Sequence, residues 1–354
     1  MTKNNFPINP AKHELDSPER LLLYDKYRGE GWEKEYKKYR YKWNEDPKKF
    51  IVNDYPLNVD LELSSICNLT CPMCYLQSQK YKNNNVTPFM SKELFKKLVN
   101  EISINNIPAL KLNFRGEPTL HPNFIELVKY AKHEKKIKEI SMTTNISKLT
   151  KDFFAEIIDC LDWINISIDG LNETYEKIRK PLKFVDTLQK IKDIRNIKEK
   201  YNTHKPVIRI QTVWSAIENN YEEYYNTFAP YVEQIGYNPV FDFNKSMHNY
   251  IFIPNFSCSQ IYQRLQILSD GRAVLCCFDT NANFILGDAK KQSIHKIWHG
   301  KQINSIRAAH EITNGFKKIP ICRENCYFNR KVINPKTIKI DTRKINVNTK
   351  YAEK

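Results

Sequence analysis

Residues 57–74 read LNVDLELSSICNLTCPMC. Leu57, Val59, Leu61 and Leu63 alternate with Asn58, Asp60 and Glu62, which is the two-residue period of a β-strand. Directly behind that stretch, Cys67, Cys71 and Cys74 have the spacing C-x3-C-x2-C. Three thiols cannot all be paired as disulfides, and a structural zinc site closes with four nitrogen or sulfur ligands. Three thiolates in one short loop fit a [4Fe–4S] cube with one iron left open to chelate a small molecule. A zinc ion completed by a distant His is the other metal reading of the same loop.

Outward from this stretch the chain repeats a strand–helix period. SKELFKKLVNEI (91–102), NFIELVKYAKHEK (123–135), TKDFFAEIIDC (150–160) and NYEEYYNTFAP (220–230) read as helices, the first behind a Ser N-cap. ALKLNF (109–114), IKEISMTTN (137–145), WINISIDG (163–170), PVIRIQTVW (206–214) and VEQIGYNPV (232–240) read as further strands. Strict alternation predicts parallel strands joined by right-handed crossovers. Six units are too few for a closed eight-fold barrel, which leaves a partial barrel or an open sheet. In both, ligands bind at the carboxyl ends of the strands. The unusual residues fall there: the cysteine loop, RGEPTLHP after the second strand, TTN after the third, and Ser167 to Gly170 after the fourth. Four such ends on one rim describe a single site.

In that order the segments resemble the radical S-adenosylmethionine (radical SAM) superfamily, over roughly residues 57–240. The resemblance implies an α/β chain built as a partial (β/α)6 TIM-like barrel. It implies that Cys67, Cys71 and Cys74 hold a [4Fe–4S] cluster that binds SAM. Gly116, Glu117 and Pro118 resemble the family's GGE-type segment, which binds the methionine amino group; Arg115 stands in place of its first Gly. Thr143, Thr144 and Asn145 resemble the polar segment after strand three. Ser167 and Asp169 resemble positions that reach the SAM ribose or carboxylate, with a helix N-cap region as the alternative reading. Met73 stands where an apolar side chain packs against adenine. In such enzymes a reduced cluster passes one electron into SAM, and the resulting 5′-deoxyadenosyl radical takes hydrogen from an unactivated C–H bond. The cofactor carries that chemistry and the protein orients it.

The other cysteines have a pattern of their own. Cys160, in EIIDCLDW, reads as core. Cys258 precedes a predicted hairpin through Ile267 and Leu268, a turn at Asp270-Gly271, and a return from Ala273 to Cys277. Phe284 to Asp288 and a helix from Ser293 to Glu311 follow, and the chain then reaches Cys322-x3-Cys326. Gly271-x4-Cys276, Leu286-Gly287-Asp288 and Ile297-Trp298-His299 resemble the SPASM and shorter twitch auxiliary-cluster domains. The resemblance assigns Cys258, Cys276, Cys322 and Cys326 to one auxiliary [4Fe–4S] cluster, with a closed four-thiolate zinc site as the alternative. Cys276 and Cys277 are strand neighbours that point to opposite faces. That leaves Cys277 to pack, to substitute as ligand, or to give a hydrogen atom to a substrate radical. With only Cys160 and Cys277 spare, the count favours a one-cluster, twitch-like form.

The 354 residues are 41% hydrophobic and 27% charged, ample for a core and unlike a disordered or collagenous chain. No apolar run is long enough to span a bilayer and MTKNNFPINPAKHE has no secretory h-region, so a cytoplasmic location is expected. The net charge of +16 is dispersed, without a nucleic-acid module, and suits a solvated face or a docking surface for an acidic flavodoxin- or ferredoxin-type reductant. His121 reads as a loop residue bonded to backbone or touching substrate. His295 and His299, four apart on a helix, read as surface or structural groups. The expected organisation is a helical preamble (1–50), the barrel (51–245), the small auxiliary hairpin and helix domain (246–330) and a weakly ordered basic tail (331–354). The expected activity is dehydrogenation or epimerisation of a small or carrier-linked polar metabolite: a sugar, aminocyclitol or nucleotide-linked compound. A radical SAM peptide maturase and a zinc-stabilised nucleic-acid-binding protein are the competing readings.

Overall fold

A computed structural model describes residues 13–78, 81, 86–239 and 250–351. Residues 1–12 of the preamble, Val240 at the predicted end of the last strand, the 245/246 boundary and the final three residues lie outside the described residues.

The strands are β1 (His13–Glu14), β2 (Asn58–Leu61), β3 (Ala109–Leu112), β4 (Glu139–Thr144), β5 (Trp163–Ser167), β6 (Val207–Val213), β7 (Gln234–Asn238), β8 (Arg264–Ile267), β9 (Arg272–Val274), β10 (Ile285–Asp288), β11 (Val332–Ile340) and β12 (Arg343–Tyr351). The first ten form one sheet in the order β1-β7-β6-β5-β4-β3-β2-β8-β9-β10. From β2 to β7 every neighbouring pair is parallel, with registers such as Asp60 opposite Lys111 and Asn165 opposite Arg209. The six alternating units are therefore the curved parallel sheet expected of a partial barrel.

Alternation along the strands sorts the side chains. Val59, Leu61, Leu110, Leu112, Ile140, Met142, Ile164 and Ile166 are fully buried in the main core against the helices. Each such side chain contributes about 2 kcal/mol by leaving water. The helix Lys92–Ile104 meets them with Leu94, Phe95, Leu98, Val99 and Ile102, and it starts where the Ser91 hydroxyl accepts from the Leu94 N–H at 3.2 Å. The intervening residues (Asp60, Lys111, Ser141, Asn165, Arg209) face the concave interior, which is polar and charged rather than apolar.

The preamble is two helices, Pro18–Gly29 and Glu33–Glu45, parted at Gly31, whose φ of +83° suits glycine. Trp32, Tyr36 and Tyr39 pack on Leu57 and Ala109, at the amino ends of β2 and β3. The buried Arg28 guanidinium grips the Glu139 carboxylate at 2.8 and 2.9 Å. The preamble thus plugs the end of the barrel opposite the cysteine loop.

Three expectations change. The auxiliary hairpin does not stand apart from the barrel: β8 pairs in parallel with β2, so β8, β9 and β10 extend the same sheet. The single helix expected from Ser293 to Glu311 is two, Ile294–Trp298 and Lys301–His310, broken at His299-Gly300. The stretch expected as a weakly ordered basic tail is the antiparallel hairpin β11–β12. Its alternation buries Ile338, Ile340 and Val347, and Arg343 donates to the Leu15 carbonyl at 2.9 Å. Lysines at the exposed alternate positions masked that period in the sequence. No helix among the described residues is long and apolar enough to cross a membrane.

Candidate active site

The loop after β2 turns so that the Cys74 N–H donates to the Cys71 carbonyl at 3.0 Å. The thiols of Cys67, Cys71 and Cys74 converge on one cavity of about 270 Å³ at the carboxyl rim of the sheet. Burial pushes all three thiols up, Cys74 to about 11, so deprotonation there is coupled to metal binding. The cavity lining holds no fourth Cys and no His among the described residues. Three sulfurs at an open cavity, whose mainly apolar wall also carries Asn145, Ser167 and Arg179, fit an iron–sulfur cube with one free iron and do not fit a closed zinc site.

Gly116 makes the rim possible. A Cβ there would lie 2.6 Å from the Ser64 carbonyl oxygen and closer still to that of Ile66. Its N–H donates to Ser64 at 3.1 Å, and the next one, of Glu117, to Ile66 at 2.9 Å. Arg115 does not hinder this approach. It turns inward and forks onto Glu62 at 2.5 and 2.7 Å, and Glu62 also accepts from the Ser269 N–H at 3.0 Å. That pair ties the ends of β2 and β3 to the β8–β9 turn.

Glu117 lines the cavity, but its oxygens are already engaged. They accept from the Thr119 and Thr144 hydroxyls at 2.6 and 2.7 Å and from the Asn145 N–H at 2.7 Å. Burial pushes this carboxyl up and those donors oppose the shift. Glu117 therefore clamps the end of β4 to that of β3. Asn145 then places its amide 3.6 Å from the Cys67 sulfur. Thr143, Ser167 and Met73 also line the cavity, whereas Pro118 is buried beside it in a short 3-10 turn.

Asp169 does not line the cavity. It is neither a cap nor exposed: the helix Asn172–Ile178 starts at Leu171 without a side-chain cap, and Asp169 is 1% accessible. It holds Arg179 at 2.6 Å and accepts from the Val213 N–H at 2.9 Å. Arg179 reaches the cavity, with a guanidinium nitrogen 3.8 Å from the Cys71 sulfur. Nothing in the sequence marks Arg179; only the fold brings it to the cysteine loop.

The second cysteine set also converges. Cys258, Cys276, Cys322 and Cys326 line one small cavity walled by Phe256, Phe278 and Phe328. Four sulfurs in an apolar pocket fit a fully ligated cluster. His310, which the sequence reading missed, joins them. Its Nδ1 accepts from the Cys258 N–H at 3.2 Å, so the other ring nitrogen carries the proton, 3.7 Å from the Cys322 sulfur. Burial holds this imidazole down at about 4, in its neutral form.

Cys277 lies outside that lining. Its sulfur sits 3.8 Å from the Gln260 side-chain oxygen and within electrostatic reach of Arg264 and Asp60, and of Lys111 in the barrel interior. Burial pushes this thiol up to about 11. Cys160 is fully buried in the main core, as expected. His121 is structural: it faces the Met90 carbonyl at 2.8 Å and accepts from the Asn123 N–H at 3.1 Å. His295 and His299 lie at the surface beside Asp54, away from both cysteine sets.

The family pattern of the Radical SAM superfamily matches residues 61–209, and that of the SPASM iron–sulfur cluster-binding domain matches residues 258–327. The tungsten-containing aldehyde ferredoxin oxidoreductase cofactor-modifying protein of Pyrococcus furiosus is 29% identical over 168 residues, 46% of this chain and 44% of that protein. The S-adenosylmethionine-dependent nucleotide dehydratase of Flammeovirga pacifica is 32% identical over 127 residues, 34% of this chain and 41% of that protein. The chain thus spans less than half the length of these curated relatives. Among solved structures, BtrN in complex with AdoMet and 2-DOIA gives a TM-score of 0.55 at 17% identity, covering 78% of this chain and 95% of that one. Native anSMEcpe with bound AdoMet gives 0.55 at 16%, covering 78% and 90%. At such identities the likeness is one of fold. The two family matches displace the reading as a zinc-stabilised nucleic-acid-binding protein. The chain carries a radical SAM superfamily domain followed by a SPASM iron–sulfur cluster-binding domain, and the cofactors these domains imply are SAM and iron–sulfur clusters.

Proposed function

We propose that this enzyme removes hydrogen from a carbon of a polar metabolite (a sugar, aminocyclitol or nucleotide-linked compound) and returns hydrogen from the opposite face, giving epimerisation. The observation that carries this reading is the position of Cys277, outside the four-cysteine pocket and beside the polar barrel interior. Cys67, Cys71 and Cys74 would hold the SAM-binding cluster, and Cys258, Cys276, Cys322 and Cys326 the auxiliary one. When bound, SAM and the reduced cluster supply hydrogen abstraction from an unactivated C–H bond. Gly116 lets the rim backbone approach the cofactor, and Glu117, Thr144 and Asn145 fix the shape of that rim. Ser167 and Arg179 present polar groups to the SAM ribose and carboxylate, with Asp169 positioning Arg179. Met73 offers an apolar surface to adenine. The Cys277 thiol stays protonated at neutral pH because burial raises it, which suits a hydrogen-atom donor. A flavodoxin- or ferredoxin-type reductant is the partner this reading requires: it would supply one electron for SAM cleavage and a second that, with a solvent proton, returns the Cys277 thiyl radical to the thiol.

Nucleotide substrates gain support from the printed names of two relatives, the nucleotide dehydratase and a probable GTP 3′,8-cyclase of Methanococcus maripaludis. Dehydrogenation is the second reading, favoured by the four-cysteine pocket next to Cys277, which could take up the second electron. The test is turnover in D2O by the reconstituted, reduced enzyme. Epimerisation through Cys277 predicts one solvent deuterium in the product, while Cys277→Ala still forms 5′-deoxyadenosine but yields no epimer. Normal turnover by Cys277→Ala removes the thiol from the mechanism, and an oxidised product without solvent deuterium favours dehydrogenation.

A further inference from the structure

The barrel interior carries an unbalanced charge. Arg28 is paired with Glu139, Arg115 with Glu62, Arg264 with Asp60 and Arg209 with Glu14. Lys111 has no such partner among the described residues. Register places it between Asp60 on β2 and Ser141 on β4, but the Asp60 oxygens already accept from Asn58, Arg264 and Gln266. Its ammonium lies 5.5 Å from the centre of the Trp163 ring and makes no hydrogen bond or ion pair among the described residues. Arg209 and Arg264 both add positive potential at Lys111.

Around that ammonium, buried polar atoms go unsatisfied. They include the Nε–H donors of Arg209 and Arg264, the two cations that act on Lys111. A buried donor left unmet loses its hydration without a replacement. Two unmet donors beside one unpaired cation point to an acceptor ligand that would satisfy them. Lys111 sits two residues below Asn113 on the same strand face, about 7 Å deeper than the cysteine cavity that Asn113 lines. Cys277 lies within electrostatic reach of the same ammonium.

We propose that the barrel interior below the SAM cavity binds an oxyanion of the substrate, a phosphate or carboxylate, with Lys111 as its direct charge partner and Arg209 and Arg264 beside it. This rests on the preceding reading of the cavity as the SAM site. It adds that the substrate is anionic and is held by its anionic end within reach of the Cys277 thiol.

The test is anaerobic equilibrium dialysis of inorganic phosphate, and separately acetate, against the reconstituted enzyme with SAM, alongside an assay of 5′-deoxyadenosine. Wild type is expected to bind one of the two probes saturably, and the one bound tells phosphate from carboxylate. Lys111→Met should weaken that binding at least about tenfold, while Lys111→Arg restores it to within about threefold. Lys138→Met, at an exposed lysine, should leave it unchanged. 5′-Deoxyadenosine formation by Lys111→Met is expected to persist, which shows that the variant is folded. Absence of saturable binding in wild type, or equal binding by wild type and Lys111→Met, overturns the anion site. Saturable, Lys111-dependent binding in an enzyme that never cleaves SAM leaves the anion site standing and removes the reading of the cavity above it.

Discussion

The two cysteine sets solve opposite problems. Cys67, Cys71 and Cys74 lie within eight residues of one another, line an open cavity with polar groups in its wall, and would leave one coordination position of a bound cluster unfilled. Cys258, Cys276, Cys322 and Cys326 are gathered from across 69 residues into an apolar pocket and would fill every position of a bound cluster. An open site needs polar neighbours for its exchangeable ligand, and Asn145, Ser167 and Arg179 provide them. A closed site needs only shielding and a few donors to sulfur, which the phenylalanines and His310 provide. Reactivity should therefore follow the first set and stability the second.

The sharpest way to break this comparison is to remove one sulfur from each. Cys71→Ala should lower SAM cleavage by about a thousandfold or more while about four iron per chain remain with the auxiliary set. Cys322→Ala should also lose about four iron but keep 5′-deoxyadenosine formation, and its thermal midpoint should fall. Iron analysis with a product assay checks both. Equal loss of SAM cleavage in the two variants would erase the division of labour.

A smaller effect is expected at Arg179, the cation that sequence reading missed. Arg179→Leu leaves Asp169 buried without its partner, which costs about 3 kcal/mol of stability. It should also weaken SAM binding, whereas Asp169→Asn should disturb SAM affinity less than its loss of stability suggests. A denaturant titration and a SAM binding isotherm separate the two terms. If Arg179→Leu binds SAM normally, the guanidinium serves only the fold.

What the sequence disclosed was local. The C-x3-C-x2-C loop, the Ser91 cap and the strand–helix period each depend on residues a few positions apart, and each is found where the pattern places it. The family resemblance extended this to Gly116, Glu117, Thr144 and Asn145, which do meet at one rim. Contacts across the chain were not legible. Asp169 looked like a ribose or carboxylate contact and instead positions Arg179, because which loop lies beside Cys71 is decided by packing. His310 is brought to Cys258 from 52 residues away, and no motif announces it. The last hairpin was hidden because its exposed lysines gave the composition of a tail while Ile338, Ile340 and Val347 kept the period of a strand.

The smallest effect separates the barrel interior from both cysteine sets by pH. Burial pulls Lys111 down to about 8, against the attraction of Asp60, and Arg264 and Arg209 push it the same way as burial. Cys277, the other titratable group facing it, stays protonated until about 11. The ammonium is therefore charged below pH 8 and loses its proton as pH rises through that value. Anion binding should then be full at pH 7 and fall several-fold by pH 9. Sulfate is the probe to use, because its own charge is constant over this range and any change belongs to the protein. An anion bound first would hold Lys111 charged and move the fall to higher pH, so the midpoint should rise with sulfate concentration. Lys111→Arg, charged throughout, should flatten the curve while leaving binding at pH 7 in place. A fall that survives in Lys111→Arg would have to be assigned to another group, and the interior would then differ from the cysteine sets in shape rather than in charge.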